Sequence, residues 1–94
     1  MLKPIPKWLA YTVGAIAVIN FAAFVVIADL LGGDALNGYA AHGHYFLAYH
    51  RKLTEVSRAT FEYSVVHALS VFVTHGLAIF VGWKWTQQKK ASRR

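Results

Sequence analysis

Residues 60–85, from Thr60 to Trp85, read TFEYSVVHALSVFVTHGLAIFVGWKW. It is long and apolar enough to cross a bilayer, yet it carries Glu62, Tyr63, Ser64, His67, Ser70, Thr74 and His75. Wound as an α-helix at about 100° per residue, it places Thr60, Tyr63, His67, Ser70, Thr74 and Ala78 within roughly 80° of one another. One face is therefore polar or small. Phe61, Val65, Ala68, Leu69, Phe72, Leu77, Ile79 and Phe80 make up an apolar remainder that suits lipid or another protein. The pattern points to a membrane and to one face of one helix, but it names no reaction.

Composition supports the membrane reading. The 94 residues allow a single domain, and 56% hydrophobic with 15% charged residues is a membrane-like balance. There is no cysteine, so disulfides, thiolate metal sites and a cysteine nucleophile are excluded. The formal charge of +6 does not argue for nucleic acid, because the basic residues sit at the ends of apolar runs rather than along one face. Topology and anionic headgroups account for them more simply.

Upstream, Trp8 to Leu31 carries no charge before Asp29. At 1.5 Å per residue such a helix spans about 36 Å, enough for a hydrocarbon core of roughly 30 Å. The run is too long for the apolar region of a cleavable signal peptide and lacks a small-residue cleavage site, so an uncleaved signal anchor is expected. Pro6 suits the opening of this helix. Gly32 and Gly33 suit its end, because glycine takes the left-handed conformation favoured there. The connection, residues 32–57, begins with turn-prone Gly, Asp and Asn. Its second half, His44 to Leu47 and Leu53 to Val56 about a polar centre at His50, Arg51 and Lys52, suits a short β-hairpin or an interfacial amphipathic helix. Tyr39, Tyr45, Phe46 and Tyr49 would settle at a bilayer interface.

The expected class is thus an all-α integral membrane protein. It is a single two-span domain, an antiparallel hairpin with spans at about 8–31 and 58–86, a connection of about 25 residues and a basic tail at 87–94. Lys3 and Lys7 precede the first span, and Lys84, Lys89, Lys90, Arg93 and Arg94 follow the second, against Arg51, Lys52 and Arg58 between them. The positive-inside rule then puts both termini in the cytoplasm and the connection outside, in a membrane of the bacterial inner type.

Depth indicates which polar groups meet. With midpoints near Ile19 and Phe72, Asn20 lies at the midplane, and Ser70 and Thr74 lie about 3 Å to either side of it. Antiparallel packing sets the Asn20 amide opposite both hydroxyls, a helix-packing set completed by Tyr63 and His67. Ala10 and Gly14 fall level with Ala78 and Gly82, a small-xxx-small spacing that permits close approach. Asp29 and Glu62 come out at similar depth near the outer boundary, with Arg58 one turn before Glu62. Paired carboxylates can do acid/base work, but the simpler reading has both hydrated and partly paired with Arg58.

His67 and His75 are candidates for function because ionisable groups inside a span are rare and costly. Ligation of haem or a chlorin is one use. Eight residues apart on one helix, they differ by roughly 12 Å and 80° and cannot take both faces of one iron, so a second ligand would come from another chain. The simpler reading is a neutral His67 hydrogen-bonded to Tyr63, Ser64, a carbonyl or another chain; proton relay is a third. His42, His44 and His50, with Asp34 and Glu55 nearby, make a weak N/O metal set. No catalytic constellation is evident, and no enzyme is expected.

Two helices alone cannot surround the polar face of the second span, so partners are expected. The function expected is that of a small accessory or assembly subunit of a larger membrane complex. An oligomeric haem- or pigment-binding subunit using His67, and a homo-oligomeric proton or ion conductor, are the alternatives.

Overall fold

The structure is a computed structural model that describes residues 4–92. In chain order it consists of α1 Lys7–Leu31, β1 Asp34–Ala41, β2 His44–Tyr49, β3 Lys52–Val56 and α2 Arg58–Ser92. Both helices are long and apolar enough to cross a membrane. Lys3, Arg93 and Arg94 of the basic count lie outside the described residues.

The ends of the helices follow local chemistry. Pro6 stands before α1 in extended conformation, and its carbonyl accepts the Leu9 and Ala10 N–H groups. Gly32 closes α1 at φ 93°, and the Gly32 and Gly33 N–H groups both donate to Ala28 O, as in a Schellman-type end. Ser57 opens α2, its hydroxyl accepting the Thr60 N–H at 3.1 Å and its carbonyl the Phe61 N–H. α2 does not stop where the apolar run stops: Gln87 to Ser92 continue the helix, because Gln, Lys and Ala are good helix formers. The Gln88 amide reaches back to the start of the chain, accepting the Ile5 N–H at 2.7 Å and donating to Ile5 O at 3.1 Å.

The two helices pack along small residues. Ala17, Ala28, Ser64 and Ala68 are buried between elements, with Ala68 only 1% exposed. The close approach expected at Gly14 and Gly82 is not used: a Cβ added to either would meet nothing within 4 Å. Ser64 and Ala68, four apart, occupy that role instead, because they face the partner elements while Gly82 faces outward.

The all-α expectation is corrected by the segment between the helices. It is neither an interfacial helix nor a two-stranded hairpin. It is a three-stranded antiparallel sheet in the order β1-β2-β3. The missed strand, β1, holds the Gly, Asp and Asn that favour turns; pairing with β2 overrides that preference. Its ladder is irregular between Asp34 and Tyr39, and a Cβ on Gly38 would fall 1.9 Å from Phe46 O. Gly38 therefore marks a bulge where backbones come too close for any side chain. A third strand also gives a stability that an isolated hairpin lacks.

Both hairpin loops have two residues, His42-Gly43 between paired Ala41 and His44, and His50-Arg51 between paired Tyr49 and Lys52. All four loop residues have positive φ, including His42 at 53°, His50 at 48° and Arg51 at 68°, the signature of a type I′ turn. A non-glycine residue in that region costs about 1–2 kcal/mol.

One face of the sheet covers the start of α2. Leu47 is completely buried there, Tyr45 meets Phe61 at 5.5 Å between ring centres, and the Ala35 N–H donates to Ser64 Oγ at 2.9 Å. The Thr54 hydroxyl donates to Gly32 O, tying β3 to the end of α1.

Candidate functional site

Midway along the helix pair, Asn20 joins three residues of α2. Its Nδ2 donates to Ser70 Oγ at 3.0 Å and to Thr74 Oγ1 at 3.3 Å. Its Oδ1 lies 3.0 Å from His67 Nε2, and His67 Nδ1 lies 2.6 Å from the Tyr63 hydroxyl. An amide oxygen only accepts, so His67 Nε2 carries the hydrogen and Nδ1 accepts from Tyr63. The Ser70 and Thr74 hydroxyls donate to His67 O and Val71 O, which leaves their lone pairs to receive the Asn20 amide. The result is one directed chain, from Tyr63 through His67 and Asn20 to Ser70 and Thr74 and into backbone carbonyls.

Local structure explains why these residues meet. Tyr63 and His67 are four apart on α2, where side chains stack over one another. Fixed rise along both helices sets Asn20 level with Ser70 and Thr74. Phe24 meets the His67 ring edge-on at 5.3 Å, and Phe21 meets His75 likewise at 5.6 Å. These phenyl rings hold the imidazoles in place.

No buried side-chain nitrogen or oxygen among the described residues lacks a partner. Asn20 serves three residues at once, so the pair itself answers the polar groups that were expected to require another subunit. Both nitrogens of His67 are engaged, and ligating iron through either would break a bond. His75 Nδ1 donates to Val71 O at 3.1 Å, and its Nε2 has no partner among the described residues. The donor chain ends on carbonyls within α2, which suits a clamp that sets helix rotation better than a path across a membrane.

The other candidates are dispersed. His42 and His50 sit in turns at opposite ends of β2, and His44 Nδ1 lies 2.6 Å from Glu55 Oε2 on the exposed face. No group of three or more His, Asp or Glu among the described residues is placed to hold a metal. Arg58 Nε donates to Glu62 Oε1 at 2.8 Å, exposed on the first turn of α2; Asp29 is exposed as well.

Two groupings were not expected from the sequence. Of the aromatic residues expected at an interface, Tyr39 and Phe46 are directly paired across β1 and β2 on the outward face of the sheet, with ring centres 5.0 Å apart. At one end of the same sheet, Asp34, Asn37, Tyr49, His50, Arg51 and Leu53 line a hollow of about 600 Å³. An Asn three residues after an Asp, and the polar centre at His50, Arg51 and Lys52, were the available signals.

Comparison with known protein families, with curated proteins and with solved structures finds no match for this chain.

Proposed function

We propose that this chain is a small accessory subunit that assembles with, and stabilises, a larger integral membrane complex, with both termini in the cytoplasm of a bacterial inner membrane and the sheet outside. The observation that carries the proposal is the uncovered aromatic face of the sheet. Tyr39 is 48% exposed although it stacks on Phe46, while the opposite face is closed by α2. Aromatic side chains presented together by a rigid sheet are the type of anchor that protein interfaces bury. The polar stripe of α2 no longer supports a partner, because Asn20 satisfies it. The helix pair, clamped at Asn20, serves as the mount that holds the sheet at the membrane surface. The distribution of basic residues supports the orientation.

The test is gentle detergent extraction followed by native electrophoresis of the wild type and of Tyr39→Ala combined with Phe46→Ala. The wild type is expected in an assembly far larger than one chain. The double substitution is expected to release it while circular dichroism retains both helices and the sheet. A wild type that runs as a monodisperse monomer, in conditions that preserve other membrane complexes, contradicts the proposal.

A further inference from the structure

The hollow at the base of the sheet has a position and a charge pattern that together point to a ligand. Its position follows from strand register. Ala48 pairs with Asp34, two residues after the Gly32 that ends α1, so the His50-Arg51 turn projects at the end of the sheet nearest that helix terminus. If α1 crosses the membrane, as the functional proposal holds and as this inference requires, the hollow lies at the level of the lipid headgroups.

Its charge pattern is bipolar. Asp34 is only 8% exposed, and its carboxylate accepts hydrogen bonds from the Asn37 N–H at 3.1 Å and from Asn37 Nδ2 at 3.1 and 3.0 Å. No basic group lies within ion-pair distance of it among the described residues. A buried carboxylate held by neutral donors alone favours a cation beside it. The carbonyl end of α1, two residues away, adds negative potential of the same sign. Arg51 stands on the wall of the same hollow, exposed and without a carboxylate partner among the described residues. It occupies a left-handed position that glycine or asparagine would fill with less strain.

We propose that the hollow binds a headgroup bearing a primary ammonium and a phosphate two carbons apart, and that the ligand is phosphatidylethanolamine of the adjoining leaflet. The ammonium enters toward Asp34. Asn37 Oδ1, left free because Nδ2 serves the carboxylate, accepts a second ammonium N–H. A quaternary ammonium has no N–H to give, so phosphatidylcholine loses both bonds. The phosphate meets the Arg51 guanidinium, whose fork suits two of its oxygens, with His50 beside it. The acyl chains then run down the uncovered apolar surface of α1.

The test uses the full chain in phosphatidylcholine nanodiscs, titrated with lysophosphatidylethanolamine, lysophosphatidylcholine, lysophosphatidylglycerol or free phosphoethanolamine. The Asn37 side-chain amide resonance reports binding. Lysophosphatidylethanolamine is expected to bind at least tenfold more tightly than the other three. Arg51→Gly, which relieves the turn and leaves the fold intact, is expected to lower that affinity tenfold or more. Asp34→Asn is expected to abolish the preference over lysophosphatidylglycerol. Equal affinity for all lipids, or an unchanged affinity in Arg51→Gly, overturns the proposal; free phosphoethanolamine binding as well as the lipid overturns the lipid assignment. Carbonate washing of native membranes separates the two readings. A chain that resists it yet shows no preference refutes the headgroup site alone, whereas a chain that washes off refutes the membrane placement as well.

Discussion

Replacing Asn20 with Leu tests the clamp between the helices. The substitution removes three hydrogen bonds, to Ser70, Thr74 and His67. Interhelical bonds of this type average about 0.6 kcal/mol each in a bilayer, so their loss amounts to roughly 2 kcal/mol. Ser70 and Thr74 keep the bonds they donate to backbone carbonyls and add little further cost. The His67 Nε2–H loses its acceptor, and an unpaired donor in partly buried surroundings brings the total to about 2–3 kcal/mol. That corresponds to a roughly 30- to 150-fold shift in the folding equilibrium. Reversible unfolding in mixed micelles, followed by circular dichroism, measures it. Combining Asn20→Leu with His67→Leu counts the shared bond once, so the pair should cost about 1 kcal/mol less than the sum of the singles. A cost below about 0.5 kcal/mol for Asn20→Leu, or strict additivity, refutes the directed chain of bonds.

Other outcomes follow from particular atoms. Gly38→Ala drives a Cβ into Phe46 O and is expected to destabilise the sheet by about 3 kcal/mol or more, opening residues 34–56 to protease. Gly76→Ala, where an added Cβ meets nothing within 4 Å, is expected to be neutral or to stabilise α2 by up to about 1 kcal/mol. Ser64→Ala strips the buried Ala35 N–H of its acceptor and should cost about 1–3 kcal/mol, read as faster amide exchange at Ala35. For topology, Asn37→Cys is expected to react with an impermeant thiol reagent in intact cells and Ser92→Cys only after lysis. Labelling of Ser92→Cys in intact cells reverses the proposed orientation.

Much of the helical frame was legible because bilayer length and helical rise are fixed quantities. The absence of charge from Trp8 to Ala28 marks one long helix, and counting 1.5 Å per residue sets Asn20 level with Ser70 and Thr74. What the helical wheel did not reveal is that one amide serves three residues, since angles and depths carry no information about how many bonds a single side chain completes. β1 was illegible for a different reason. Local preference for turns at Asp34, Asn37 and Gly38 opposes the strand, and only the ladder to β2, a contact between distant residues, overrides it. The small residues misled similarly: Gly14 and Gly82 permit close approach, but the packing falls at Ala17, Ser64 and Ala68. Nor did membrane length bound α2, because the charged tail through Lys90 sustains a helix outside any apolar run. The hollow at Asp34 and Arg51 was hidden because its walls come from three strands and the His50-Arg51 turn, brought together by register alone.

The accessory-subunit proposal is tested most directly by photo-crosslinking from the sheet in living cells. A photoreactive phenylalanine analogue at Tyr39, on the uncovered face, is compared with the same group at Ile79, on the outward apolar surface of α2 and 72% exposed. A discrete adduct with one larger membrane protein is expected from position 39, none of the same size from position 79, and loss of the adduct when Phe46 is replaced by Ala. Illumination at position 39 that yields no protein adduct, or only a dimer of this chain, contradicts the proposal.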